Sequence, residues 1–274
     1  MIYSFFSKES MLILYFSVIM EKMLENNSTF FVDAHFHYSC CIADCCFNPP
    51  ENWKGCSCAH SIEEWEMQKK GVSGKNIVSA FGLHPQGNYT TELDFLKTLL
   101  EKNEVQAIGE AGFDYFTPEF KENREEQEKN FTSQIELAVK YQKPVIIHCR
   151  KANDKLFEYS SLLKKAPSVL FHSFMGSSVE AQSLVRRGIN AYFSFGKQMM
   201  NNNKKVLECV KNLDIKRLLV ETDAPFQFLK GEQKTYLSDI VKIYEAAAEL
   251  LDIDYEKLCP VLSDNFDSMF NFSK

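Results

Sequence analysis

A (β/α)8 barrel is the fold this sequence predicts, and three observations carry it. Eight short apolar runs recur along 274 residues, most are separated by a helical pattern, and ionisable residues follow the apolar run at one outlet after another. Parallel strands need right-handed helical crossovers, and one barrel of this kind takes about 250 residues. A doubly wound sheet is the rival, but no Gly-x-Gly-x-x-Gly follows the first run. The composition can fill a large core, with 45% apolar residues, 23 Phe and 11 Tyr. Residues 29–274 are read as the barrel and 1–28 as an N-terminal extension.

The first strand is Phe30-Phe31-Val32 running into Asp33-Ala34-His35-Phe36-His37. Alternate side chains of an extended segment share a direction, so His35 and His37 point the same way. Pro49-Pro50 breaks any helix, so the first crossover is expected to be short and non-helical. Gly55–His60 is a second strand. Ser61-Ile62-Glu63-Glu64 matches a capping box and starts a helix to about Lys70, before a turn over Gly71–Lys75. Asn76–Phe81 is the third strand, leading into Gly82-Leu83-His84-Pro85.

Leu93, Leu96, Leu99 and Leu100 space a helix over 92–103. Glu104–Glu110 is the fourth strand, 117–123 a loop, and a long helix then runs to about Tyr141. Val145–His148 is strand five, a helix follows over 153–165, and Val169–His172 is strand six. Ser177 and Glu180 form a second capping box, on a helix that stops at Gly188. Ile189–Phe195 is strand seven. The polar run Lys197–Lys205 reads as a loop on the active-site side, entering a helix that ends near Leu213. Arg217–Val220 is strand eight and delivers Glu221-Thr222-Asp223-Ala224-Pro225. Helices over 235–251 and 255–270 complete the chain.

The formal net charge of -6 provides no global positive field for coating nucleic acid. Six of nine cysteines fall between residues 40 and 58, in a spacing unlike the C-x2-C rhythm of zinc knuckles. Their odd number and the size of the chain favour reduced thiols that fill space, and hence a cytoplasmic protein. The apolar stretch 11–20 is too short to cross a bilayer as a helix, so no membrane partner is expected. It reads as part of a dispensable extension, with Met20 and Met23 as later starts, or else as a short helix packed on the barrel. No stable protein partner is implied.

His35, His37, Glu110, His148, His172 and Asp223 all fall where strands discharge, the rim at which barrels of this kind do chemistry. Gathering imidazoles and carboxylates there without a cation would cost several kcal/mol of desolvation. Mixed nitrogen and oxygen donors suit zinc, manganese or a comparable divalent ion. Six ligands are too many for one tetrahedral ion and suit two that share Glu110, though a one-metal site stays open. Two ions about 3.5–4 Å apart can clamp the attacking and leaving oxygens of a phosphoryl displacement.

The stretches DAHFH (33–37), GLHP (82–85), GEAGFDY (109–115), PVIIHCR (144–150), VLFHSFMGS (169–177) and LLVETDAP (218–225) resemble, in order and spacing, the TatD family of metal-dependent deoxyribonucleases. That family belongs to the amidohydrolase-like barrels. The resemblance implies two divalent ions (Mg, Mn or Zn), with these six residues as ligands and Glu110 as the bridge. It implies that Asp223 takes the proton of the attacking water. His84 resembles a residue near the metals that positions a phosphate, protonates a leaving group or merely caps its loop. Arg150 would grip a phosphate oxygen or form a rim salt bridge. The implied substrate is DNA or a small phosphodiester.

Four departures surround the pocket: Gln86 where a second histidine is common, Lys151 where an aspartate is common, no Arg-Asn-x-Pro beyond the last motif, and the cysteine-rich crossover. They leave metal-dependent hydrolysis of phosphodiesters as the leading function and hydrolysis of a small amide, ester or lactone as the alternative. Lys197, Lys204, Lys205 and Arg150 would favour DNA if they line a groove. A non-catalytic scaffold acting through residues 40–58 would leave the ligand set unexplained. The aromatic residues read as core rather than as a base-stacking surface.

Overall fold

The computed structural model describes residues 31–72, 76–89 and 91–271. The extension 1–28, Phe30 and most of the turn expected before Lys75 lie outside the described residues. Eight parallel strands form one sheet in sequence order: β1 Phe31–Phe36, β2 Trp53–Ala59, β3 Ile77–Phe81, β4 Ala107–Asp114, β5 Val145–Arg150, β6 Val169–Phe171, β7 Ala191–Phe195 and β8 Leu218–Val220. Apart from the last three residues of β5, every strand position is buried. A strand covered on both faces has no solvent side to alternate with, which is why these segments appear in sequence as continuous apolar runs.

The ring closes past the end of β8. Asp223 donates its backbone N–H to the His35 carbonyl at 3.0 Å, and His37 donates to the Ala224 carbonyl at 2.9 Å. Buried Asp33 reinforces the seam by accepting from the backbone and hydroxyl of Thr222, 189 residues away. Helices wrap the outside: α1 Tyr38–Ala43, α2 Ile62–Val72, α3 Glu92–Glu101, α4 Pro118–Glu122, α5 Arg124–Tyr141, α6 Asn153–Glu158, α7 Ser160–Leu163, α8 Ser178–Arg186, α9 Lys204–Asn212, α10 Ile240–Leu251 and α11 Tyr255–Phe270. Packing between layers is aromatic-rich. Phe131 of α5 sits 4.5 Å from Phe113 of β4, ring to ring, and burying such a side chain is worth about 2–3 kcal/mol. No helix among the described residues is long and apolar enough to cross a membrane.

Two expected loops are helical. The first crossover carries α1, because Pro49-Pro50 acts only on its neighbours and Cys41 can donate to the His37 carbonyl. Residues 117–123 hold α4, where Thr117 accepts the Phe120 N–H and Pro118 takes the first turn, a start signal in its own right. The box at Ser177 forms reciprocally with Glu180. The box at Ser61 forms only half: Ser61 accepts the Glu64 N–H, while the Glu64 carboxylate accepts the His60 N–H instead.

Candidate metal centre

Five of the six histidines line one cavity of about 720 Å³ at the exit end of the strands, and the sixth, His35, is fully buried beside His37. β1 directs His35 and His37 inward together, with their Nε2 atoms 3.2 Å apart. β4 extends beyond its expected end to Asp114, which places Glu110 mid-strand and almost fully buried. A Cβ on Gly112 would lie 1.8 Å from the His148 carbonyl, so only glycine lets β4 run this close to β5 and hold His148 at the cavity. Loops after β3 and β6 contribute His84 and His172, and the segment after β8 contributes Asp223.

Glu110 is the hub. Its Oε1 lies 2.7 Å from His35 Nε2 and 3.1 Å from His172 Nε2, and its Oε2 lies 3.3 Å from His84 Nε2 and 3.6 Å from His60 Nε2. Asp223 Oδ1 faces His37 Nε2 at 3.3 Å and His35 Nε2 at 3.4 Å. His148 Nδ1 approaches His172 Nε2 at 3.3 Å. The six residues expected as ligands therefore form one contiguous cluster: His35 and His172 both meet Glu110 Oε1, His37 and Asp223 lie beside His35, and His148 lies beside His172.

Hydrogen bonds away from the centre fix which ring atoms face it. His148 donates Nε2–H to Asp114 Oδ2 at 3.1 Å, leaving the Nδ1 lone pair directed inward. Asp114 also accepts from the Gln86 side chain at 2.6 Å. Gln86, the residue that replaces a common histidine, thus holds the carboxylate that orients a ligand. His35 Nδ1 contacts the buried Cys58 sulfur at 3.4 Å, and its Nε2 faces inward. His172 Nε2 faces the centre at 3.1 Å from Glu110 Oε1, and its Nδ1 lies 3.6 Å from buried Glu221 Oε1.

His84 differs from these. The backbone N–H of Gln86 donates to its Nδ1 at 3.2 Å, so Nε2 carries the proton and points it at Glu110 and at His148 Nδ1, 3.4 Å away. His84 is built as a donor, and burial holds its pKa well below the ordinary value. Burial alone would raise Glu110, yet His35, His172 and His84 together hold its carboxyl well below the usual range. Asp223 is likewise held low against its burial, by hydrogen bonds from His35 and His37. Both carboxylates are ionised at neutral pH.

Imidazole nitrogens packed 3.2–3.3 Å from one another beside two carboxylates make a set of donors that a cation among them would satisfy. The donor set is imidazole and carboxylate, which suits a divalent transition metal. On this chemistry the residues fit bound divalent ions, with Asp114 and Glu221 as outer partners of the histidines.

A model of the family described as TatD related DNase matches residues 20–271. The chain belongs to that family. Among its relatives, the metal-dependent hydrolase YabD of Bacillus subtilis, itself uncharacterised, is 32% identical over 208 residues, 72% of this chain and 78% of the relative. The 3'-5' ssDNA/RNA exonuclease TatD of Escherichia coli K12 is 28% identical over 191 residues, 68% of this chain and 72% of the relative. The crystal structure of YjjV, a TatD homologue from the same bacterium, superposes with a TM-score of 0.78 at 24% identity, covering 89% of this chain and 98% of that one. The fold of that TatD homologue is therefore that of this chain, an eight-stranded barrel.

Around this TatD-type centre the rim differs from expectation. Lys197 does not line a groove: it is 1% exposed, and its ammonium is bound by Glu232 at 2.6 Å and Asp239 at 2.8 Å. Arg150 lines the cavity with its guanidinium 3.6 Å above the Phe116 ring, and among the described residues no carboxylate pairs with it. Phe226, Phe228 and Met175 also line the cavity, each about half exposed. The reading of the aromatic residues as core alone is corrected there, because strand and helix spacing says nothing of side chains on the loops after β6 and β8. No disulfide joins any of the nine cysteines; Cys40 and Cys149 border the cavity, while Cys41, Cys46, Cys56 and Cys58 are buried.

Sequence reasoning named the inner residues and missed their supports. Asp114 lies inside a quoted motif, four residues beyond Glu110, and its parity with the strand could have marked it. Glu221 precedes Asp223 by two and carried the same signal. His60 carried none beyond its place at the end of an apolar run.

Proposed function

We propose that this chain is a two-metal phosphodiesterase acting on single-stranded nucleic acid, DNA first among its substrates. One observation carries the reading: Glu110 presents one oxygen to His35 and His172 and the other to His84 and His60, with a second carboxylate, Asp223, beside His35 and His37. In the proposed roles His35, His37 and Asp223 would hold one ion, His148 and His172 would hold the other, and Glu110 would serve both. Bound there, divalent ions would supply Lewis acidity toward a phosphoryl oxygen and activate water near neutral pH.

The chain's own groups supply the rest. Asp223, held ionised, accepts the proton of the attacking water. His84 offers its Nε2 proton to the departing oxygen or to a phosphate oxygen. Arg150, splayed over Phe116, is the cation that reaches a non-bridging oxygen. Half-exposed Phe226 packs edge-on to His37 at 5.1 Å, where it can receive a base beside the scissile phosphate. The relative named as an ssDNA/RNA exonuclease supports this substrate class.

The net charge of -6 and the buried Lys197 favour one other substrate, a small uncharged ester, amide or lactone. Metal-stripped protein reloaded with manganese, offered labelled single-stranded DNA, a simple phosphodiester and a lactone, separates the two. Cleavage of DNA and the phosphodiester is expected; turnover of the lactone alone sinks the proposal.

A further inference from the structure

We propose, resting on the metal centre described above, that His60 is an additional metal ligand, binding through Nε2 an ion held by Glu110 Oε2. His60 follows the last residue of β2 and is absent from every motif that carries the family resemblance.

The tautomer is fixed by its partner. His60 Nδ1 lies 3.2 Å from the Gly82 carbonyl, and a carbonyl only accepts, so Nδ1 carries the proton and Nε2 presents a lone pair. The ring is also anchored through its backbone, where Glu64 takes the His60 N–H at 2.7 Å. Gly82 must be glycine for its carbonyl to sit there, since a Cβ would lie 2.7 Å from the Gly109 backbone. Nε2 is buried and has no hydrogen-bond partner, and the nearest charged atom is Glu110 Oε2 at 3.6 Å.

A buried lone pair facing an ionised carboxylate, with no proton between them, is repulsive. A cation between them removes the repulsion and gives the orphaned Nε2 a partner. Two ligands each about 2.0–2.1 Å from a tetrahedral ion lie about 3.4 Å apart, a few tenths of an ångström from the observed separation. The neighbouring imidazole on this side, His84, directs N–H inward and cannot ligate in that tautomer, so His60 fills the position that His84 leaves open.

An extra imidazole makes the donors that face the cavity richer in nitrogen. That shifts preference from magnesium toward zinc, cobalt or manganese.

The test uses cobalt(II) alone, on full-length protein stripped of metal. His60→Asn keeps a side-chain N–H for the Gly82 carbonyl and removes the inward lone pair. The unmodified protein should bind cobalt with visible absorption bands. His60→Asn should bind one equivalent at least tenfold more weakly and with altered bands, while melting at the same temperature without metal. An unchanged titration and spectrum would overturn the assignment.

Crystals of the unmodified protein soaked in cobalt give an answer that does not depend on any variant folding. An anomalous peak at bonding distance from His60 Nε2 is expected. Peaks at His35, His37 and Asp223 with none at His60 would reject His60 and leave the metal centre standing. No peak at Glu110 would reject both.

Discussion

His148 Nε2 donates to Asp114 Oδ2 at 3.1 Å, and that bond alone decides which face of the His148 ring meets the cavity. Asp114 is in turn held by Gln86 and by the backbone N–H of Phe116. Replacing Asp114 with Asn removes the carboxylate that accepts the His148 Nε2–H. The expected outcome is a 10–100-fold loss in affinity for one metal equivalent, read by calorimetric titration, with the other equivalent unaffected.

Asp223 should behave differently. Asp223→Asn keeps the shape of the closing segment, including the backbone bond to His35, but forfeits the proton acceptor. Hydrolysis of a phosphodiester should fall about 10²–10⁴-fold while the melting temperature of metal-free protein barely changes. A variant within threefold of full activity would place the base elsewhere.

The rim residues should act on binding. Arg150→Ala should raise KM for single-stranded DNA more than it lowers kcat and reduce the slope of log affinity against log salt by about one. Phe226→Ala should weaken oligonucleotide binding by about 1–3 kcal/mol, measured by fluorescence anisotropy, and should leave a simple phosphodiester untouched.

Lys197 gives a test of stability rather than chemistry. Its bonds to Glu232 and Asp239 outweigh the burial of those carboxyls and hold both below the ordinary carboxylate range. A depressed carboxyl contributes stability above its unfolded pKa of about 4 and loses it as pH falls through the folded value. Lys197→Met should therefore destabilise by about 3 kcal/mol at pH 7, and the penalty should shrink below pH 4. Denaturant unfolding at pH 7 and pH 3 gives both numbers.

The barrel could be read from the chain because each strand is covered on both faces, which turns it into an unbroken apolar run such as Val145-Ile146-Ile147. Most residues of the central cluster were legible for a related reason: where such a run stops, the next ionisable side chain is at the rim, although Glu110 lies inside β4. Their supports were not, since Gln86 and Asp114 meet only when β3 and β4 are side by side. Lys197 misled as a surface lysine because Glu232 and Asp239, which bury it, lie 35 and 42 residues further on. The helix at Tyr38–Ala43 was hidden by proline residues that begin only six positions after it ends.

The seam between β1 and the segment after β8 has a bearing on how the protein is made. Chain closure and assembly of the cluster use the same few residues, the 33–37 stretch and its partners at 222–224. A nascent polypeptide leaving the ribosome cannot make these seam contacts until residues 222–224 have emerged, so a fragment ending before them lacks both the closure of the ring and Asp223.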